Sequence, residues 1–90
     1  MMSKIPGEID KANEDKQILR VGIIAELDAI NLYEQLASKA KNTKVKKVLL
    51  DIAKEEKTHV GEFLALLVEL DKEQEEELEK GKEEVKELTS

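Results

Sequence analysis

Glu56 and His59 sit three positions apart in a strongly apolar stretch, and Glu26 sits in the middle of an earlier one; His59 is the only histidine of the 90 residues. Side chains three apart on a helix leave from one face, so a carboxylate oxygen and an imidazole nitrogen can converge on one ion. A lone Glu on one helix and a Glu-x-x-His on a facing helix form half of the ligand set that holds two iron or manganese ions inside a four-helix bundle, and a second pair of helices supplies the other half. The chain is long enough for one such pair. The pattern therefore predicts that two copies meet, each bringing Glu26, Glu56 and His59, so that four carboxylates balance two divalent cations. The mixed oxygen and nitrogen donors suit iron or manganese, whereas a structural zinc site more often uses Cys or several His.

The surroundings argue in the same direction. The neighbours of Glu26 three and four positions away are Gly22, Ile23, Ala29 and Ile30, and those of Glu56 are Ile52, Ala53, His59 and Val60. An ionised carboxylate among aliphatic side chains is strongly penalised, and two at one depth also repel each other. A cation removes both penalties. Taken singly, Glu26 also reads as a helix-edge surface residue, Glu56 and His59 as a chance spacing in a Glu-rich chain, and His59 as a hydrogen-bonded packing residue; the conjunction favours the site. Tyr33, one heptad after Glu26, either donates its hydroxyl to a ligand carboxylate or fills the core. Glu62 is a reserve ligand with Arg20 as its alternative partner, and Asp28 reads as a solvated acid near Lys54.

The elements that must position these residues are legible from periodicity. Ile18, Val21, Ala25, Ala29, Leu32, Leu36 and Ala40 recur at steps of three and four, the period of one helix face, and Leu19, Ile23, Leu27, Ile30 and Tyr33 lie beside them. So wide a stripe needs more than one neighbouring helix to cover it. Val45, Val48, Leu49, Ile52, Ala53, Val60, Phe63, Leu64, Leu67 and Leu70 form a second stripe. Lys41-Asn42-Thr43 between them offers an Asn to end the first helix and a Thr to cap the second. The expectation is an all-α fold, an antiparallel two-helix hairpin with arms of ~28 residues or about 40 Å, which dimerises into a four-helix bundle. If the connection is centred near residue 41, Glu26 and Glu56 each lie fifteen residues from it and His59 one turn further. The same matching pairs Asp28 with Lys54, Glu62 with Arg20 and Glu34 with Lys47.

Three segments follow: an arm over residues 1–13 containing Pro6-Gly7, the hairpin over 14–70, and a tail over 71–90. The tail carries nine acids and four bases and keeps only Leu78, Val85 and Leu88 as large apolar residues. A short C-terminal helix and a solvated acidic segment are both open to it. The chain has net charge −6 with no basic footprint, which argues against nucleic acid and against anionic membrane surfaces as partners. No apolar run approaches the ~20 residues of a membrane span, and no signal peptide is evident. The absence of Cys removes disulfides and thiolate metal sites. A cytoplasmic location is expected.

The run Arg20-Val21-Gly22-Ile23-Ile24-Ala25-Glu26-Leu27-Asp28-Ala29-Ile30-Asn31-Leu32-Tyr33-Glu34, followed by Ala53-Lys54-Glu55-Glu56-Lys57-Thr58-His59, resembles the half-ferritins of the rubrerythrin/ferritin-like superfamily. Within it the chain is most similar to encapsulated ferritins, the iron-oxidising cargo of encapsulin nanocompartments, over roughly residues 14–70. The resemblance implies metal ligands at Glu26, Glu56 and His59, a matching Tyr at Tyr33, and two-helix chains that dimerise around a di-iron (Fe) ferroxidase site. It also implies further association into an open ring, commonly a decamer, with an encapsulin shell protein to hold the mineral. The family's acidic pair on the first helix is half present, as Ala25 and Asp28. The ending Lys86-Glu87-Leu88-Thr89-Ser90 lacks a shell-docking peptide and resembles the point at which some archaeal ferritin-like domains continue into a fused shell. The function implied is oxidation of Fe(II) by dioxygen for iron storage and detoxification inside a nanocompartment. Rubrerythrin-like peroxide reduction at the same site, and a metal-free helical oligomerisation module, are the alternatives.

Overall fold

Two long apolar stripes and a charged tail fold as three helices in a computed structural model that describes residues 13–90: α1 (Glu14–Lys39), α2 (Thr43–Leu70) and α3 (Lys72–Thr89). The expected arm over residues 1–13 lies outside the described residues but for Asn13. Glu14 and Asp15 place negative charge in the first turn of α1, where the helix dipole favours it. The Ala40 N–H closes its last turn on Leu36 and Ala37. Asn42, rather than Thr43, then caps α2: its side-chain oxygen accepts from the N–H groups of Lys44 and Val45 at 2.9 and 3.1 Å. Asn and Thr both cap well, and one position decides which side-chain oxygen reaches the exposed N–H groups.

The tail is a helix, settling the open reading of residues 71–90. Asp71 is the single residue between α2 and α3. Its N–H still bonds the Leu67 carbonyl of α2, while its carboxylate accepts from the Gln74 N–H of α3. α3 packs against the end of α2 and contributes no buried residue.

α1 and α2 pack along each other. Gly22 meets Phe63, Glu26 meets His59, and Glu34 meets Lys57, so residue numbers rise along one helix as they fall along the other. The buried residues are Ala29, Ile30 and Ala37 from α1 and Ala53 and Leu67 from α2. Three of the five are alanines, whose small side chains let the two backbones approach. A core of this size leaves large apolar residues uncovered, among them Ile24, Leu27, Leu36 and Leu66. The radius of gyration is 16.3 Å, against ~12 Å for a compact domain of this length. One chain exposes both the breadth of its stripes and the faces that a globular fold would hide.

Candidate metal centre

Glu26 projects from the middle of α1, and Glu56 and His59 from one face of α2, where the three-residue spacing stacks them. The three side chains meet between the helices. His59 Nδ1 lies 3.2 Å from Glu26 Oε2 and 3.5 Å from Glu56 Oε2. One ligand atom from each of the three lies within 4.8 Å of the others. Each residue is partly buried: the two glutamate side chains keep 19% of their exposure and His59 keeps 44%.

The donor set fits a first-row divalent ion. Bonds of ~2.1 Å to imidazole nitrogen or carboxylate oxygen put two ligands at right angles ~3.0 Å apart, close to the separations here. Two carboxylates facing each other repel when both are ionised, and the imidazole between them relieves that only when it donates a hydrogen bond. A bound cation serves both carboxylates and takes the lone pair of a neutral His59. The expected dry interior is not closed within one chain, since His59 remains 44% exposed.

The match across the helices is offset from the one expected. Glu26 meets His59 at 3.2 Å, nearly one turn beyond equal distance from the connection. Every Cα–Cβ bond tilts towards its own helix's N-terminus. Side chains of α1 thus lean away from the connection and those of α2 lean towards it, so meeting residues sit further along α2. Two expected ion pairs are also replaced by partners further along the chain. Glu34 bonds Lys57 at 3.1 Å in place of Lys47, and Arg20 bonds Asp71 at 2.7 Å in place of Glu62. Glu62 is exposed on α2, while Tyr33 and Asp28 are half-buried on α1 and outside the group of three. Asp28 is less solvated than expected and is engaged with a neighbour.

Two features escaped the reading of the sequence. Asp71, placed there at the start of the tail, joins all three helices. Phe63 lies against Gly22, one turn from His59 and Glu26 on their helices; a glycine inside a helical pattern, where it weakens the helix, was the available sign of a close approach.

A sequence profile of the Rubrerythrin family matches residues 17–89. A ferritin-like-encapsulin shell fusion protein of Pyrococcus furiosus is 66% identical over 73 residues, which are 81% of this chain and 21% of that protein. The chain therefore spans about a fifth of that relative's length. The crystal structure of an encapsulated ferritin domain from Pyrococcus furiosus is similar with a TM-score of 0.86 and 58% identity, covering 93% of this chain and 86% of that one. Among the described residues no helix is long and apolar enough to cross a membrane.

Proposed function

This chain belongs to the rubrerythrin family, and we propose that it is a ferroxidase whose substrate, Fe(II), is bound between two copies. Residues 14–70 act as an antiparallel hairpin, two hairpins pair into a four-helix bundle, and Glu26, Glu56 and His59 of each copy hold two Fe(II) ions. The observation that carries the reading is the convergence of these three donors within 4.8 Å at a place one chain leaves open. A second copy brings three more donor residues, so four carboxylates and two imidazoles are shared between two ions, with positions left for water and the oxidant. Ile24 and Leu27, which flank Glu26 on α1, are about half exposed in the single chain and gain a cover in the same step.

The glutamates supply the negative charge that makes the doubly charged ions welcome in a low-dielectric interior, and that stabilises the triply charged product further. His59 must be neutral to donate its lone pair, so binding releases any proton it carries. Each Fe(II) gives up one electron, and dioxygen with two protons is reduced to hydrogen peroxide. The protein's part is to hold two ions near each other with room for the oxidant. Outside the three ligands, Tyr33 would donate its hydroxyl to a ligand carboxylate, Asp28 would draw iron towards the site, and Glu62 would stand in reserve as a further carboxylate.

The relative named above is fused to an encapsulin shell. By that likeness we assign this chain to the interior of an encapsulin nanocompartment in the cytoplasm, as a ring of dimers such as a decamer, storing the ferric product. Residues 71–90 then form an acidic appendage to the catalytic hairpin.

The test is anaerobic loading with Fe(II) followed by air, with the ferric absorbance recorded. Native protein should oxidise iron well above the rate in buffer, and Glu56→Ala and His59→Ala should fall to that background. Unchanged rates in both variants would end the proposal. Faster turnover with peroxide than with dioxygen would favour the rubrerythrin-like reaction, and full assembly with no metal bound would favour the structural module.

A further inference from the structure

Gly22 precedes Glu26 by four residues on α1, and Phe63 follows His59 by four on α2, so this pair meets one turn, ~6 Å, from the ligand pair on both helices. A Cβ at position 22 would lie 3.2 Å from Phe63 Cε2, 3.3 Å from Cδ2 and 3.5 Å from Cζ. The ring thus rests on the bare backbone of α1. At the other described glycines, Gly61 and Gly81, an added Cβ meets nothing within 4 Å, so the close approach belongs to position 22. Glycine inside a helix is unfavourable relative to alanine, and here it secures contact between α1 and the ring.

We propose that Phe63 seated on Gly22 sets the spacing of α1 and α2 at the level of Glu26 and His59, making it the positioning contact of the metal centre. The inference rests on the metal reading above. Its force comes from scale. Metal–ligand distances are tolerated to about ±0.2 Å, and a methyl at position 22 must displace the ring or part the helices by a few tenths of an ångström. A helix is stiff over one turn, so parting at Gly22 opens the 3.2 Å gap between Glu26 and His59 by a similar amount.

Co(II), which reports coordination through its visible spectrum without reacting with dioxygen at such a site, is the probe, titrated calorimetrically into the 90-residue chain. Gly22→Ala should weaken Co(II) binding about tenfold, the scale seen when support around metal ligands is lost, and should alter the visible spectrum. The metal-free thermal midpoint should change little, because the better helix propensity of alanine offsets the cost of moving the ring; a merely structural role would move stability and affinity together. Phe63→Leu should weaken binding in the native background and strengthen it in the Gly22→Ala background, a change of sign that a double-mutant cycle reads directly. Gly61→Ala and Gly81→Ala should bind as native. Native affinity and spectrum in Gly22→Ala, or the same sign for Phe63→Leu in both backgrounds, would overturn the proposal. Should Gly22→Ala fail to fold, native affinity in Phe63→Leu alone would overturn it. Native Co(II) binding by His59→Ala would instead overturn the metal reading itself.

Discussion

Arg20 and Asp71, fifty-one residues apart, are joined by a 2.7 Å ion pair that ties α1 to the one residue between α2 and α3. While Oδ2 of Asp71 accepts from the Arg20 guanidinium, its Oδ1 accepts from the Gln74 N–H at the start of α3. One carboxylate thus caps a helix and anchors it to a second. α3 buries nothing of its own, so its direction depends heavily on this residue.

Replacing Asp71 separates the two tasks. Asp71→Ala should cost about 1–2 kcal/mol, from loss of a cap worth ~1 kcal/mol and an exposed ion pair worth ~0.2–1 kcal/mol. Asp71→Asn keeps a capping oxygen and should cost less than half as much. Denaturant titration at fixed protein concentration measures both, since association adds to apparent stability. Equal losses in the two variants would show that the ion pair, and not the cap, holds α3.

Helix existence was written in the periodicity, because two wide apolar stripes admit little else, and the donor trio was legible because His59 is the only imidazole in the chain. Level along the two helices was less legible. Counting residues from the connection treats side chains as standing at their own Cα, whereas they lean towards the N-terminus, which accounts for the three-residue offset of Glu26 and His59; the Glu34–Lys57 pair lies ten residues past the expected Lys47, more than that lean supplies. The fate of residues 71–90 was undetermined for a physical reason: α3 has apolar residues too sparse to demand burial, and its start is fixed by the single cap at Asp71. The Phe63 contact depends on the distance between two backbones, which no spacing along one helix encodes.

Metal should stabilise the assembled protein. A divalent ion held at a hundred times its dissociation constant adds about 2.7 kcal/mol per site when it binds only the folded state. Mn(II) is a convenient ion, since it matches the oxygen and nitrogen donors and resists aerial oxidation at neutral pH. Native protein should show a raised thermal midpoint with Mn(II) and lose the gain on adding EDTA. In Glu26→Gln the Mn(II) gain should shrink sharply, because the neutral amide neither balances the ion's charge nor binds it as strongly. An undiminished gain in that variant would remove Glu26 from the ligand set.

Leu27 tests the pairing of two chains. It stands beside Glu26 and is 50% exposed in the single chain. A charge there is harmless to an isolated chain but costly in a covered apolar interface. Leu27→Glu should therefore lower the mass in solution, read by light scattering or native mass spectrometry, and reduce metal bound per chain in parallel. A variant that keeps both native mass and metal content would place the interface elsewhere.

Away from Gly22 and Phe63, the close approach of α1 and α2 rests on their alanines, and it predicts opposite failures for opposite changes. Ala53 is 2% exposed on α2 and Ala37 is 1% exposed on α1, while Leu67 is the one large, nearly fully covered side chain of α2, at 3%. Ala53→Leu adds three carbons where there is no room, so it should destabilise by about 1–3 kcal/mol through displaced neighbours, although leucine is nearly as good a helix former as alanine. Because Ala53 is three residues from Glu56, the displaced helix should also carry Glu56 with it and, on the proposed ligand set, weaken metal binding. Leu67→Ala lies eight residues beyond His59 and leaves a gap in place of a push. It should cost about 2–5 kcal/mol yet leave metal affinity near native in whatever fraction remains folded. Denaturant titrations of the metal-free variants, paired with Mn(II) titrations of the folded proteins, separate the outcomes. If Ala53→Leu loses stability but binds metal as native, the helix spacing that the alanines set does not reach the ligands.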